Sequence, residues 1–321
     1  MTYPLQRATS LQRDIARTLL YFDIFRHPLT PTEIHRFLPS NSVTAEDITA
    51  ACSSEPLSTL LVRYNGLIGV DRKSTEYLYE RSNKERRAIH MWRIAVVMSR
   101  VIRMFPFIRG IFVSGELSKG VASKKADIDF FILTAPNRVW ITRTLFALFK
   151  RLFLFNRRKL FCYNHIRSVE TLEIAERNIY TAMEVATIKP IYNTQLYAEF
   201  IARNSWISSF LPNSISLNPI LKGATHREAL SETVLNLLLS SKYLDAIDTW
   251  LLKRWKIVWS KRYTALNDAQ RDKLFQCEPH VSTAYVRDFF PGITKEYEKR
   301  LDQFGLTISL PPKYSFVRAH E

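Results

Sequence analysis

Cysteine is scarce in this chain, and so are long apolar runs. Three cysteines, Cys52, Cys162 and Cys277, are far apart and form no CxxC pair, which excludes a disulfide framework or a cysteine-ligated zinc cluster and favours a reducing compartment. No stretch of about 18 apolar residues occurs. The first residues, MTYPLQRATS, have no apolar core of the kind that a signal peptide needs. We therefore expect a cytoplasmic protein without stable membrane insertion.

Several common catalytic signatures are also absent. The sequence contains no GxSxG, no GxGxxG and no Walker A loop, and its seven histidines form no HExxH. The sequence therefore has no motif that would indicate a hydrolytic triad on a nucleophile elbow, dinucleotide binding or zincin-type proteolysis. There is no internal repeat and no low-complexity segment.

Positive charge is plentiful. Lysine and arginine number 46 against 30 acidic residues, which gives a net charge of +16 and a pI near 9.8. Such an excess favours polyanionic partners, namely nucleic acid, nucleotides or anionic lipid, although a generically basic surface is the alternative. With 46% hydrophobic residues over 321 positions, the chain is long enough for two or three domains at about 150 residues each.

The N-terminal region has the pattern of three helices and a hairpin. Apolar residues recur at helical spacing over 11–25. Thr30 and Thr44 are N-cap candidates for the next two helices, each with an acidic residue three positions later. Asn65 and Gly66 separate two short apolar runs and suit a type I′ turn.

This order of elements is that of a winged helix. The third predicted helix, TAEDITAACS, carries two acids and no lysine or arginine, a poor face to offer to DNA phosphates. A packing or protein-interaction module is therefore favoured over a DNA reader. We assign 1–85 to this winged-helix-like module and 86–104 to a basic linking helix.

After Pro106 the pattern predicts an α+β unit. Its elements are a strand near 108–113, a polar loop, the strand IDFFIL, a helix over 139–155, the strand LFCYNHI and a helix over 173–191 ended by Lys189-Pro190. From there the chain is mostly helical by pattern, most clearly over 245–262. The corresponding assignments are a core over 105–200 and a mainly helical C-terminal domain over 201–321.

The chemically informative segment is GELSKGVASKKADIDFFIL, from Gly115 to Leu133. Asp127 and Asp129 are two apart on a predicted strand, so their carboxylates share one face and repel each other unless a cation lies between them. Oxygen ligands without histidine or thiolate suit Mg²⁺ or Mn²⁺. The preceding loop can bring amides, hydroxyls and a cation to substrate phosphates through Ser114, Gly115, Ser118, Lys119 and Gly120.

A glycine, one further residue, a spacer and then Asp-hydrophobic-Asp resembles the signature of the DNA polymerase β-type nucleotidyltransferases. Here ten residues separate Glu116 from Asp127, and the resemblance extends from Phe105 to about Asn213. It is closest to bacterial nucleotidyltransferase-domain proteins that begin with a winged-helix-like segment. The resemblance implies that Asp127 and Asp129 bind two Mg²⁺ ions, which orient an NTP for in-line transfer of its nucleoside monophosphate to an acceptor, with release of pyrophosphate.

Two positions depart from the family pattern. The family usually has serine after the glycine, where this chain has Glu116. The later strand brings Asn164 where a third acid is expected, and an amide adds no charge and cannot act as a base. Glu116 and Glu184 are candidates to complete the site. These departures support a rival hypothesis, a catalytically weakened fold that acts as a nucleic-acid-binding or regulatory protein.

Two further stretches are basic. Residues 130–169 contain eight lysines and arginines and no acid, which predicts a cationic field that attracts an NTP and an RNA or DNA acceptor, with a solvated helix rim as the alternative. The helix over 245–262 combines Trp250, Trp255 and Trp259 with lysine and arginine. Core packing with a basic outer face, a nucleic-acid surface and a membrane surface are the three interpretations.

Overall fold

The protein has a mixed α+β architecture in the computed structural model, which describes residues 5, 7–40, 43–70, 74–155, 159–215, 242–284 and 289–306. The strands are β1 (Val62–Tyr64), β2 (Leu67–Gly69), β3 (Ile108–Ser114), β4 (Asp129–Thr134), β5 (Cys162–Ser168), β6 (Lys189–Tyr192) and β7 (Val281–Thr283). The helices are α1 (Ser10–Asp23), α2 (Pro31–Phe37), α3 (Ala45–Ser53), α4 (Leu57–Leu60), α5 (Ser74–Arg103), α6 (Gly115–Ser118), α7 (Val139–Phe153), α8 (Ile179–Thr187), α9 (Thr194–Arg203), α10 (Lys242–Arg262), α11 (Asp268–Phe275) and α12 (Phe289–Gln303).

The local signals of the N-terminal region are confirmed. Thr30 and Thr44 each form a capping box with the residue three positions later. Asn65 and Gly66 have φ of 48° and 76°, and they turn β1 into the antiparallel strand β2. Helix α5 starts at Ser74, before the position 86 expected for the linking helix.

The main sheet has five strands in the order β6-β3-β4-β5-β7. Strand β4 pairs antiparallel with β3 and parallel with β5. The helix expected over 173–191 is wrong at both ends, because α8 begins only at Ile179 and β6 pairs with β3 and places Pro190 opposite Phe112. Proline is tolerated there because β6 lies at the edge of the sheet and needs hydrogen bonds on one side only.

The C-terminal region contributes the other edge. Strand β7 pairs antiparallel with β5, with His165 opposite Thr283. The part of the chain beyond residue 200 thus supplies a strand to the central sheet in addition to helices. None of the helices in the described ranges has the length and apolar composition needed to cross a bilayer.

Two hydrophobic clusters lie on opposite faces of the sheet. Phe112 and Phe131 pack on one face with the N-terminal helices, α8 and α9, while Val113 and Phe130 pack on the other with α5 and α7. Side chains alternate between faces along a strand. Asp129 therefore lies on the same face as Phe131, towards α8.

Candidate functional site

A glycine turn packs directly against the carboxylate of Asp129. Strand β3 ends at Ser114, which is the antiparallel partner of Asp129 at the start of β4. Gly115 follows with φ of 70°, and a Cβ built there would lie 2.5 Å from Asp129 Oδ2. Only glycine meets both conditions, a left-handed backbone and no space for a side chain. The predicted turn beside Asp129 is therefore present.

Asp127 and Asp129 flank a residue that is fully buried. Ile128 has no exposed surface, whereas both aspartates are half-buried, an alternation typical of an extended chain. The backbone N–H of Ile128 donates to the carbonyl of Lys159 at 3.1 Å, which fixes this segment beside β5. Asp127 is near enough for its charge to act on Asp129.

Asp129 carries a carboxylate that its surroundings destabilise. Its pKa is raised to about 6, chiefly by burial and also by the negative charges of Asp127 and Glu184, against the lowering effects of a hydrogen bond from Cys162 and the charge of Lys119. Burial disfavours the charged form unless a partner compensates it. The site thus has a deficit of positive charge at Asp129.

Glu184 reaches the site from α8. Its Oε1 lies 2.9 Å from Lys119 Nζ, and the same ammonium donates to the carbonyl of Gly115 at 3.3 Å. Lys119 is therefore held between the turn and α8, and its charge is shared with Glu184. Of the two acids that the sequence offered to complete the site, Glu184 is the one whose charge acts on Asp129.

Strand β5 adds two polar neighbours. Cys162 is the parallel partner of Asp129, and its thiol hydrogen-bonds to that carboxylate; burial, the charge of Asp129 and this bond raise the pKa of Cys162 to about 12. Asn164 Nδ2 donates to Asp129 Oδ1 at 3.5 Å, so Asn164 lies beside the aspartate as the motif predicted. Sequence reasoning missed Cys162, because its place depends on the register between two strands.

The other predicted nucleotide-binding residues are engaged in the loop itself. The hydroxyl of Ser114 donates to the carbonyl of Asp129 at 3.5 Å. Ser118 is buried and donates to the carbonyl of Gly115 at 2.9 Å. Glu116 is exposed, and its Oε2 accepts from the N–H of Ser123 at 2.6 Å. Ser118 and Glu116 thus stabilise the loop conformation.

Helix α5 anchors the middle of this loop. The N–H of Ala122 donates to the carbonyl of Lys84 at 3.0 Å. Arg87 Nε donates to the carbonyl of Ala122 at 2.8 Å. The loop between the glycine turn and the aspartates is therefore held to α5 at Ala122.

Part of the expected cationic field is internal. Arg138, Arg143 and Arg167 are buried. Arg138 pairs with Asp245 at 2.5 Å, Arg143 donates to a β7 carbonyl, and Arg167 donates to carbonyls that follow β5. These three side chains connect elements of the fold through their hydrogen bonds and ion pairs. Arg157 and Arg158 lie outside the described residues.

The oxygen donors at this site are the two aspartate carboxylates, which are ligands of the kind that hard divalent cations take. Over the described ranges, no group of three or more His, Cys, Asp or Glu side chains is arranged to hold a metal ion. Mg²⁺ is commonly held by one or two carboxylates together with substrate phosphates. Asp127 and Asp129 suit that mode because, among the described residues, the cation whose charge acts on half-buried Asp129 is Lys119, which also pairs with Glu184.

Comparison with known proteins adds no relative. No protein-family model matches the chain, and searches of curated proteins and of solved structures find no match. The resemblance to the nucleotidyltransferases therefore stays a prediction from the sequence.

Proposed function

We propose that this protein is a Mg²⁺-dependent nucleotidyltransferase that transfers a nucleoside monophosphate from an NTP to an acceptor and releases pyrophosphate. The observation that carries the proposal is the carboxylate of Asp129, buried, close to two other acids and packed against the Gly115 turn. A buried carboxylate with a raised pKa is typical of functional sites. In this proposal the five-stranded sheet is a polymerase β-like core.

Asp127 and Asp129 would hold Mg²⁺, or Mn²⁺ in its place. The ion would neutralise the triphosphate and orient it for attack at the α-phosphorus. Asp129 contributes because, in the described part of the chain, the cation acting on its carboxylate is Lys119, whose charge is shared with Glu184. Cys162 and Asn164 orient that carboxylate through their hydrogen bonds, in the manner of outer-shell groups around metal ligands.

The turn and its lysine would meet the nucleotide. Gly115 allows the backbone to approach the carboxylate without a side chain between them, so a phosphate held there lies close to both the amides and the aspartates. Lys119 offers a positive charge beside this turn. To bind a phosphate, its ammonium would give up its contact with Glu184. Glu116 remains outside, bound to Ser123.

The N-terminal helices and hairpin are proposed to form a winged-helix-like packing module. Arg36 of α2 donates to the carbonyl of Ala186 at 2.8 Å, two residues beyond Glu184 on α8. His35 and Ser40 both accept hydrogen bonds from the Asn213 side chain through their carbonyls. The module is thus bound to the helix that supplies Glu184, which favours a structural role over DNA reading.

One observation favours the rival function. Asn164 lies against Asp129, where an acid would supply a third metal ligand, so the site has less negative charge than a fully acidic triad. A nucleotidyltransferase fold that binds nucleic acid without catalysis remains the second candidate. It requires affinity for RNA or DNA that is independent of metal and falls steeply with salt.

The proposal is tested with NTPs labelled at the α-phosphate, Mg²⁺ or Mn²⁺, and RNA, protein and small-molecule acceptors. We expect label transfer and pyrophosphate release by the wild type, and neither by the Asp127→Asn/Asp129→Asn variant. Glu298→Gln on α12 removes one exposed carboxylate away from the sheet and is the control that retains activity. Metal-independent binding of RNA or DNA without any NTP binding would support the rival function instead.

A further inference from the structure

Helix α10 exposes a stripe of large apolar side chains. Five residues with 45–83% of their surface exposed lie along it: Tyr243, Ile247, Trp250, Ile257 and Val258. At 3.6 residues per turn they fall within an arc of about 100°. Contiguous exposed apolar surface on a soluble domain usually marks a binding site.

The same side of α10 is basic and carries no acid. Exposed cations lie within and beside the stripe: Lys242, Lys253, Arg254, Lys261 and Arg262. The two acids of the helix point the other way. Asp245 binds Arg138 at 2.5 Å, and Asp248 accepts from the N–H groups of Trp140 and Ile141 at the start of α7.

The end of α7 repeats this composition. Leu148, Leu152 and Phe153 are more than half exposed, and Arg151 beside them is exposed as well. Helices α7 and α10 are in direct contact, since the indole N–H of Trp255 donates to the hydroxyl of Thr144 at 2.9 Å. Two neighbouring helices therefore expose apolar and cationic side chains together.

We propose that the outward face of α10 docks on an anionic membrane surface. Lysine and arginine would meet the lipid headgroups, while the apolar side chains would enter the boundary with the acyl chains. Tyr243 and Trp250 have the apolar body and polar tip that favour this depth. Docking of this kind requires no membrane-spanning segment, and it uses no residue of the Asp127–Asp129 site.

A nucleic acid would fit this face less well. Phosphates would bind the cations, and bases would stack on Trp250 or Tyr243. The aliphatic side chains of Ile247, Ile257 and Val258 would have no partner, because they offer neither a charge nor an aromatic face. A lipid surface accommodates all three kinds of side chain at once.

The test measures co-sedimentation of the full chain with phosphatidylcholine vesicles, with and without phosphatidylglycerol. We expect binding to the anionic vesicles only, weakening as salt rises. Lys253→Glu/Arg254→Glu should weaken it by about 25-fold or more, since each cation near such a surface contributes roughly a factor of five. Trp250→Ser/Ile257→Ser should weaken binding to the same vesicles and leave the far-UV circular dichroism unchanged.

Two control variants make the same kinds of change on other helices, so that an effect of position on α10 can be told apart from a general effect of charge or hydrophobicity. Lys295→Glu/Lys299→Glu on α12 makes the same charge change at exposed positions, and Val97→Ser removes an apolar side chain of similar exposure on α5. Both should bind vesicles like the wild type. The proposal is overturned if the wild type binds no vesicles, if the α12 control loses as much affinity, or if an RNA oligonucleotide binds the α10 face in place of lipid. A dimer in light scattering that Trp250→Ser dissociates would identify a second copy as the occupant, and would equally overturn it.

Discussion

Replacing Asp129 by asparagine should stabilise the protein in the absence of metal. Burial and neighbouring acids raise the pKa of this carboxyl from 3.8 to about 6. A difference of about two pKa units corresponds to roughly 3 kcal/mol between the two protonation states. Asparagine has nearly the same shape and no charge, so it avoids that cost while its oxygen still accepts a hydrogen bond.

The sign of the effect depends on pH. Well below pH 3.8 the carboxyl is protonated in both the folded and the unfolded chain, so Asp129 contributes no penalty. Between about pH 4 and pH 6 the unfolded chain loses this proton while the folded protein keeps it, so the free energy of unfolding falls relative to the variant; above about pH 6 the difference has reached its full size and stays constant. Near pH 8 we expect the free energy of unfolding of Asp129→Asn to exceed that of the wild type by about 1–3 kcal/mol. The lower value applies if partial exposure reduces the cost of the charge and if the hydrogen bond from Cys162 to asparagine is weaker.

Urea unfolding with a metal chelator, followed by tryptophan fluorescence at a series of pH values, measures this difference. Glu298→Gln, the exposed α12 control, should show no comparable gain with pH. If Asp129→Asn is less stable than the wild type near pH 8, or if its gain is the same near pH 4, Asp129 is not the uncompensated carboxylate described above.

Two further predictions concern the glycine turn and the start of α7. Gly115 and Gly120 both have a positive φ, which costs about 1 kcal/mol or more for alanine, but of these two positions only 115 has a neighbour that an added Cβ would meet. We therefore expect urea unfolding to show a larger loss of stability for Gly115→Ala than for Gly120→Ala, and NTP binding to be lost in Gly115→Ala alone. Equal effects of the two variants would contradict the tight turn. Asp248→Ala leaves two N–H groups of α7 without their acceptor and should lower the free energy of unfolding by about 2–4 kcal/mol. Asp248→Asn keeps an acceptor oxygen and should lower the free energy of unfolding much less. Similar losses of stability for both variants would show that the charge matters more than the hydrogen bonds.

Local chemistry in the sequence was enough to predict several elements. Thr30 and Thr44 cap their helices through residues three positions away, and Asn65-Gly66 sets the hairpin turn by its own backbone preference. The left-handed turn at Gly115 likewise depends on the backbone preference of glycine. Each of these features depends on neighbours in the chain, which a sequence pattern records directly.

Features that depend on pairing between distant segments were not predictable. Strand β6 follows α8 without a break in the apolar pattern, so the pattern predicted a helix as far as Ile191. Residues 189–192 instead form a strand, because they pair with β3. Strand β7 comes from the C-terminal region and has only three residues. Cys162 reaches Asp129 through the register of β4 and β5, and Glu184 reaches Lys119 through the packing of α8.

The central claim is that Asp127 and Asp129 bind a divalent cation together with an NTP. Mn²⁺ binding, followed by electron paramagnetic resonance with and without a non-hydrolysable NTP analogue, tests it most directly. We predict that the wild type and Glu298→Gln bind Mn²⁺ more tightly when the nucleotide is present, and that the Asp127→Asn/Asp129→Asn variant, folded by circular dichroism, binds neither. Equal Mn²⁺ and nucleotide binding by that variant and the wild type would contradict the account.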